Sequence, residues 1–217
     1  MMKKLLRKEF SLCLHASVLI YMLFSFCVFI PNYTYEVAFF FSAMSAFFIC
    51  LKARETGDTE YTCTLPVKRS SVPVARVLFC VIMQCISVAI VAVCILIKEL
   101  ALSAEDMVNA AGNAANIALL GWGFIILGVF DIVFFPLYYR RTDKVGVPFV
   151  IAAIAAFAVI GLLLAFRHVL PAFDALNTPD PEYIGAKLGV FFGGMVFYAG
   201  STVASCFVSS KLFCGGI

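Results

Sequence analysis

The sequence predicts an all-α integral membrane protein with six transmembrane helices, and two observations support that fold class. The 217 residues are 63% hydrophobic and only 13% charged, with a mean hydropathy of +1.02, whereas about a quarter of the residues in soluble domains are charged. The charges are also clustered, which leaves uncharged windows of 21, 22 and 23 residues at 77–97, 145–166 and 188–210. Because about 20 apolar helical residues cross a hydrocarbon core about 30 Å thick, each window can form one span.

Three further spans are predicted from less regular windows. Residues 10–35 carry no acid, lysine or arginine. The window 32–51 contains Glu36 near its start, and the window 116–139 contains Asp131. The first apolar stretch is too long for a cleaved signal peptide, and CVFIPNY lacks the small residues of a cleavage site, so we expect a retained helix. The six predicted spans of this single domain, residues 1–217, lie near 11–30, 34–51, 75–97, 116–139, 146–166 and 186–208.

The placement of lysine and arginine predicts that both termini are cytoplasmic. With an inside N-terminus, the inside segments would be 1–10, 52–76, 140–144 and 211–217. These segments hold 13 of the 16 basic residues and leave only Lys98, Arg167 and Lys187 outside. Positive residues accumulate on the cytoplasmic side of membrane proteins, so the bias predicts an N-in/C-in topology. The net charge of +3 therefore indicates membrane orientation rather than nucleic-acid binding.

The nine cysteines do not predict a disulfide framework. Seven fall within the predicted spans, and Cys63 and Cys214 face the cytoplasm. None lies in an outside loop and no CxxC pair occurs, so reduced thiols that pack between helices are expected.

The longest polar segment inside the cell, 52–73, predicts an elbow between spans two and three. KARETGDTEYTCTL favours a short helix with Asp58 or Thr59 as its N-cap. Pro66 ends that helix because it lacks an N–H, and Pro73 suits the first turn of the third span. The bend presents Lys68 and Arg69, which are interpreted either as a contact site or as basic anchors near anionic lipid.

Four sequence features resemble the ABC-2 type transporter permeases of bacteria. They are LPVKR at 65–69, VAR at the opening of the third span, FFPLYYRR at 134–141, and the basic N-terminal KKLLRKEF. Length, six spans and N-in topology also agree over the whole chain. One difference is that relatives often continue the PLYY segment with a glycine, whereas Arg140 and Arg141 follow here at once.

The resemblance implies the membrane subunit of an ABC exporter in the bacterial plasma membrane. A separate cytoplasmic ATPase would bind ATP and Mg²⁺, and the permease would work as a homodimer or with a homologous permease. The segment between spans two and three would be the coupling helix that docks on the ATPase. Its implied docking residues are Glu55, Asp58, Glu60, Tyr61, Leu65, Pro66, Lys68 and Arg69.

The N-terminal segment would be an amphipathic connecting helix on the inner membrane surface. Leu5, Leu6 and Phe10 could then face lipid while Lys4, Arg7 and Lys8 meet headgroups. The chain carries no GxxxxGK[ST] phosphate-binding loop, which agrees with an ATPase on another chain. No cofactor is expected on this chain.

Asp131 is the strongest polar feature inside a predicted span. A carboxylate near the bilayer midplane is costly and suggests function by default, and Pro136 predicts a kink beside it. Asp131 could line a substrate cavity, move with a hinge, or serve as the proton site of a secondary carrier. Alternatively, it is protonated or hydrogen-bonded to a neighbouring helix through a group such as Gln84 or Ser87.

The last span carries a predicted start and a row of glycines. Asp180 is expected as the N-cap with Pro181 at the first helical position. Gly185, Gly189 and Gly193 recur every four residues, a spacing that permits close helix packing within the subunit or at a dimer seam. The segment before it, 167–178, predicts short helices that dip into the outer leaflet, and 103–106 forms a weak capping box that would extend span four.

No catalytic or metal-binding residues are assigned, because the two histidines lie in different predicted regions and no GxSxG occurs. The resulting interpretation is an exporter permease for an apolar or amphipathic peptide, drug or lipid-like substrate. Two alternatives stay open at this point: a proton-coupled carrier that uses Asp131, and the substrate-binding membrane subunit of a vitamin importer.

Overall fold

The computed structural model describes residues 2–30, 33–101 and 113–215, and these residues form helices and loops without a β-strand. The helices are α1 (Met2–Leu12), α2 (Ala16–Leu23), α3 (Glu36–Glu55), α4 (Asp58–Thr64), α5 (Ser71–Ala101), α6 (Ile117–Arg140), α7 (Gly146–Val169), α8 (Pro171–Asp174) and α9 (Ile184–Gly215), with 3-10 turns at Phe24–Phe29 and Ala175–Asn177. The all-α fold class is therefore confirmed. The capping box predicted at 103–106 lies outside the described residues.

Five described helices are long and apolar enough to cross a membrane: α3, α5, α6, α7 and α9. The N-terminal helices form one further bent pair, which brings the total to as many as six spans by length and composition. The chain is thus a multi-pass membrane protein.

The first span differs from its predicted bounds of 11–30. The chain bends by 84° between α1 and the segment Ala16–Phe29, and the His15 side chain accepts a hydrogen bond from the Ser17 amide at the start of α2. Only the second segment, Ala16–Phe29, is therefore available to cross the bilayer. Its 3-10 half rises more steeply than an α-helix, so the 14 residues from 16 to 29 extend about 24 Å.

Helix α6 lies at the centre of the bundle. Its apolar window is 67% buried, against 22% for α7 and for α9, so α7 and α9 form the outer wall. The helical assignment of α6 continues through Pro136, and the kink expected there stays a prediction.

The contact between α6 and α9 depends on two glycines. A Cβ atom added at Gly194 would lie 2.2 Å from the carbonyl oxygen of Gly121, and one added at Gly121 would lie 2.5 Å from the carbonyl oxygen of Val190. Both clashes are with backbone atoms, which cannot move aside like a flexible side chain. The two helices can approach this closely only because neither residue has a side chain.

The predicted glycine row does not make this contact. A Cβ atom at Gly185, Gly189 or Gly193 would meet no atom within 4 Å, because the row points away from the subunit while Gly194, one residue further on, points toward α6. This corrects the expected packing within the subunit and leaves the row open to lipid or to a second permease.

Helix α9 begins at Ile184 rather than at Pro181, so Asp180 is not its N-cap. The Asp180 carboxylate instead accepts hydrogen bonds from the amide of Ile117 at 3.1 Å and from the ammonium group of Lys187 at 3.2 Å. Asp180 thereby ties the start of α9 to the start of α6, where free amides carry partial positive charge.

The three basic residues predicted to lie outside are all held by neighbouring groups. Arg167 is paired with the buried Glu36, Lys187 donates to the carbonyls of residues 178 and 179, and Lys98 donates to the Tyr35 hydroxyl and the Val28 carbonyl. Burial of a cation is costly unless such partners are present.

We predict that Gly194→Ala lowers the stability of the subunit, whereas Gly193→Ala does not. The first change forces backbone apart and should cost about 1–3 kcal/mol, while the second adds a methyl group in open space and also favours the helix. Thermal unfolding of the two purified variants in one detergent, beside the parent chain, measures the difference. Equal unfolding temperatures for both would contradict the proposed α6–α9 contact.

Candidate functional site at the basic end of the bundle

The buried Arg76 side chain joins three helices at the end of the bundle where α4 lies. Its Nε and Nη2 atoms donate to the two Glu9 carboxylate oxygens at 3.0 and 3.2 Å, and Nη1 donates to the Thr59 hydroxyl at 3.1 Å. Nη2 also pairs with Asp58. Arg76 on α5 therefore holds α1 through Glu9 and α4 through Asp58 and Thr59, using the planar fork that guanidinium offers to carboxylates.

Lys8 supplies the second cation of this network. Its ammonium nitrogen lies 2.8 Å from both Asp58 carboxylate oxygens, 2.7 Å from the Thr62 hydroxyl and 3.0 Å from a Glu9 oxygen. Two carboxylates thus meet two cations, and the cluster is neutral as a whole. We call the set Lys8, Glu9, Asp58 and Arg76 the ion network.

The electrostatics of Glu9 follow from this arrangement. Burial alone raises the pKa of the Glu9 carboxyl, but the attraction of Arg76 and Lys8 outweighs it, so the pKa lies below 4.5. The carboxylate is consequently ionised at neutral pH. Burial raises the pKa of the neighbouring Cys13 thiol to about 12, which keeps it neutral and able to donate to Glu9 at 3.2 Å.

Glu9, Cys13 and Asp58 also form a group with metal-ligand chemistry, since their ligand atoms lie within 4.8 Å of one another. Both carboxylates, however, are already bound by Arg76 and Lys8. A cation at this position would have to compete with a guanidinium and an ammonium group, so the donor set fits the ion network better than a metal ion.

Helix α4 has a buried face and an exposed face. Asp58, Thr59 and Thr62 point inward, whereas Glu60 and Tyr61 point outward, with Tyr61 60% exposed. Its start also differs from the prediction, because Gly57 with φ 63° is the N-cap and Asp58 and Thr59 lie inside the helix. The helix ends at Thr64, just before Leu65 and Pro66, as expected of proline.

The implied docking residues therefore divide into two groups. Asp58 is buried in the ion network and is not available to a partner, which corrects its assignment. Leu65 is half-buried. The exposed members are Glu55, Glu60, Tyr61, Pro66, Lys68 and Arg69.

A polar cavity of about 220 Å³ lies beside α4. Gly57, Thr59 and Glu60 line one side, and Tyr138 of α6 lines the other together with Thr142 and Asp143 of the α6–α7 connection. Arg54 Nη1 donates to the Asp143 carbonyl at 3.2 Å. Helix α4 and the α6–α7 connection are thus neighbours in space.

The connecting-helix interpretation of α1 needs one correction. Leu5 is buried, Lys8 is engaged in the ion network, and Phe10 packs edge-on against Phe79 at 4.7 Å. Only Lys4 and Arg7 of the expected headgroup contacts are exposed. Leu5 and Lys8 therefore serve packing against the subunit rather than the lipid surface.

Asp131 lies in a second polar group, buried among α5, α6 and α9. Gln84 Nε2 donates to Asp131 Oδ1 at 2.9 Å, and the Tyr198 hydroxyl donates to Gln84 Oε1 at 2.5 Å. The predicted contact with Gln84 is present, whereas Tyr198 was not foreseen. Asp131 Oδ2 has no hydrogen-bond partner among the described residues.

In the sequence, Arg76 was counted as a cytoplasmic cation and as part of VAR, and Glu9 and Thr62 were given no role of their own. Two signals could have revealed the network. Glu9 is the only acid in the basic helix α1, and Arg76 falls inside the predicted third span, 75–97, rather than before it. Such charges need partners when they are buried.

Breaking the ion network should destabilise the subunit. We predict that Arg76→Met costs about 3–5 kcal/mol, because Glu9 and Asp58 lose their shared partner in a buried site. Adding Glu9→Leu to Arg76→Met should cost less than the sum of the two single changes. Unfolding of the parent chain, the two single variants and the double variant in mixed micelles with increasing dodecyl sulfate gives the coupling energy. Arg7→Met on the exposed face of α1 is the control, with an expected change within about 0.5 kcal/mol. Strict additivity would contradict the Arg76–Glu9 contact.

The lowered pKa of Glu9 predicts a loss of stability in acid. Since its pKa in the folded chain lies below the ordinary value of 4.5, its contribution is full above pH 4.5 and is lost as the pH falls through the folded pKa. The unfolding temperatures of the parent chain and Glu9→Gln should therefore converge below pH 4.5. A constant offset between Glu9→Gln and the parent chain at every pH would contradict the prediction.

The family model described as ABC-2 family transporter protein matches residues 4–214, which include α4 and all but the outermost residues of α1 and α9. No curated protein and no solved structure matches the chain at a significant level. Since the match extends over nearly the whole sequence, the chain belongs to the ABC-2 family of transporter membrane subunits, the permeases that work with a separate ABC ATPase.

Proposed function

We propose that this permease is the membrane half of a bacterial plasma-membrane exporter and that α4 is its coupling helix. The observation behind the proposal is the ion network, which attaches the buried face of α4 to α1 and α5 while its opposite face is exposed. A force applied to the exposed face would thus reach a transmembrane helix through a neutral, fully hydrogen-bonded cluster.

The partner in this proposal is a cytoplasmic ATPase that carries ATP and Mg²⁺, and two permeases act with two ATPase copies. Glu55, Glu60, Tyr61, Pro66, Lys68 and Arg69 supply the docking surface. The two acids and two cations offer charge recognition, and the exposed tyrosine ring offers apolar contact area of the kind that dominates protein interfaces.

In the proposed mechanism, closure of the ATPases on ATP moves α4, and Arg76 passes the motion to α5. The helices tilt, and a cavity between two permeases opens outward. Apolar or amphipathic molecules such as peptides, drugs or lipid-like compounds suit the 23 phenylalanines of the chain. Family membership makes an ABC permease the leading function over the proton-coupled carrier and the vitamin importer considered from the sequence.

The role of Asp131 in this mechanism is positional. The Asp131–Gln84–Tyr198 chain of hydrogen bonds connects α5 to α6 and α9, so movement of α5 alters contacts deep in the bundle. A buried polar chain of this kind favours one register of packed helices over others.

The docking surface can be tested by reversing two charges. We predict that Lys68→Glu with Arg69→Glu weakens ATPase binding about tenfold or more, because repulsion replaces attraction at two rim positions. The tagged chain is purified from native membranes in mild detergent, and vanadate-sensitive, Mg²⁺-dependent ATP hydrolysis is measured per mole of permease.

The matched control is Lys3→Glu with Lys211→Glu, which makes the same charge change at two exposed positions at the same end of the bundle. This control should retain the ATPase activity of the parent. Full activity in the Lys68/Arg69 variant would remove the docking role of the bend and return these residues to the status of lipid anchors.

A further inference from the structure

A second group of cations surrounds a cavity between the end of α6 and the start of α7. The cavity measures about 370 Å³ and is lined by Leu137, Arg140, Arg141, Lys144, Val147, Pro148 and Ile151. Three cationic side chains and four apolar residues thus share one space, at the end of the bundle where the ion network lies.

The three cations form no ion pair with any residue that the structure describes. Among the described residues, no carboxylate lies within 4.0 Å of Arg140, Arg141 or Lys144, whereas Arg76, Arg167 and Lys187 each have such a partner. Asp143 lies in the same loop, but it lines the neighbouring cavity beside α4. The positive charge of the cavity therefore remains available to an external anion.

The start of α7 adds to this positive potential. Helix α7 begins at Gly146 after the N-cap Val145, and no side chain caps its first amides. Val147 and Pro148 in the first turn line the cavity. The partial positive charge at the N-terminus of α7 therefore adds to the positive charges of Arg140, Arg141 and Lys144.

The apolar side of the cavity continues along α7. Val147, Val150, Ile151 and Ile154 are 62%, 54%, 44% and 65% exposed, and they form a strip that runs from the cations toward the middle of the span. A ligand that fits both parts carries an anionic head and a hydrocarbon tail. A free phosphate would occupy the cations and leave the strip unused.

We propose that this cavity binds one anionic phospholipid from the cytoplasmic leaflet. Its phosphate lies among Arg140, Arg141 and Lys144, and one acyl chain follows Val147, Ile151 and Ile154. Because Arg54 donates to the Asp143 carbonyl, an ordered α6–α7 loop also supports the segment that leads from α3 into α4. The bound lipid thus stabilises the α6–α7 loop and, through it, the segment that leads into α4. This role does not depend on whether the permease exports or imports its substrate.

The test measures lipid retention by the purified chain with native mass spectrometry. Dioleoyl phosphatidylglycerol and dioleoyl phosphatidylcholine are titrated in parallel into the delipidated protein. The expected result is one retained phosphatidylglycerol per chain, bound about tenfold or more tightly than phosphatidylcholine, as three cations near one phosphate suggest. Equal retention of the two lipids would overturn the proposal.

Two triple variants separate a defined site from diffuse attraction. Arg140→Gln, Arg141→Gln and Lys144→Gln together should weaken phosphatidylglycerol binding about tenfold or more, while Lys3→Gln, Lys4→Gln and Lys211→Gln together should change it less than about twofold. All six positions are exposed, so both variants are expected to fold. An equal loss in both variants would show that net charge alone attracts the lipid and would overturn the site.

Two further measurements address the apolar strip and the source of the phosphate. Val147→Trp fills the cavity without changing charge and should also reduce retention, and an unchanged affinity would remove the acyl-chain contact from the proposal. Inorganic phosphate at millimolar concentration should not displace the lipid. Displacement at that concentration would assign the cations to a free anion and overturn the lipid site.

Discussion

Two buried carboxylates in an apolar bundle set the main constraint on this structure. Glu9 and Asp58 are buried, and a buried carboxylate is tolerated only with cations and hydrogen-bond donors around it. Arg76 and Lys8 meet that requirement by joining α1, α4 and α5 at one point. The position of α4 is consequently fixed by electrostatics, since a helix of 7 residues has too few hydrogen bonds and too little apolar surface to hold itself in place.

The two ends of the bundle treat charge differently. At one end Lys98, Arg167 and Lys187 are all hydrogen-bonded or ion-paired to neighbouring groups. These bonds link the helices and the segments that connect them. At the other end several cations are exposed and unpaired among the described residues, around α4 and at the start of α7. The cations of the first end therefore hold helices and connections together, whereas the second end leaves positive charge exposed on its surface.

Much of the fold was predictable because a bilayer requires long apolar helices, which are visible in the sequence as uncharged windows. Five long apolar helices lie where spans were predicted, since an uncharged window of about 20 residues has one favourable environment. The first span was wrong at its start because no proline or glycine marks the bend after α1, where the surrounding packing decides the change of direction. The Asp131–Gln84 hydrogen bond, one of the alternatives considered from the sequence, is present in the structure, as expected of a polar group in an apolar span, which needs a partner.

The sequence by itself determined the all-α membrane class and the family, because these depend on local hydropathy and on motifs such as LPVKR. Only the tertiary structure decided that Asp58 is buried, that Arg76 reaches Glu9 across 67 positions, and that Gly194 rather than Gly193 meets α6. Helical periodicity specifies which residues share a face. The rotation of each helix about its own axis is set by packing against its neighbours, which a linear pattern does not contain.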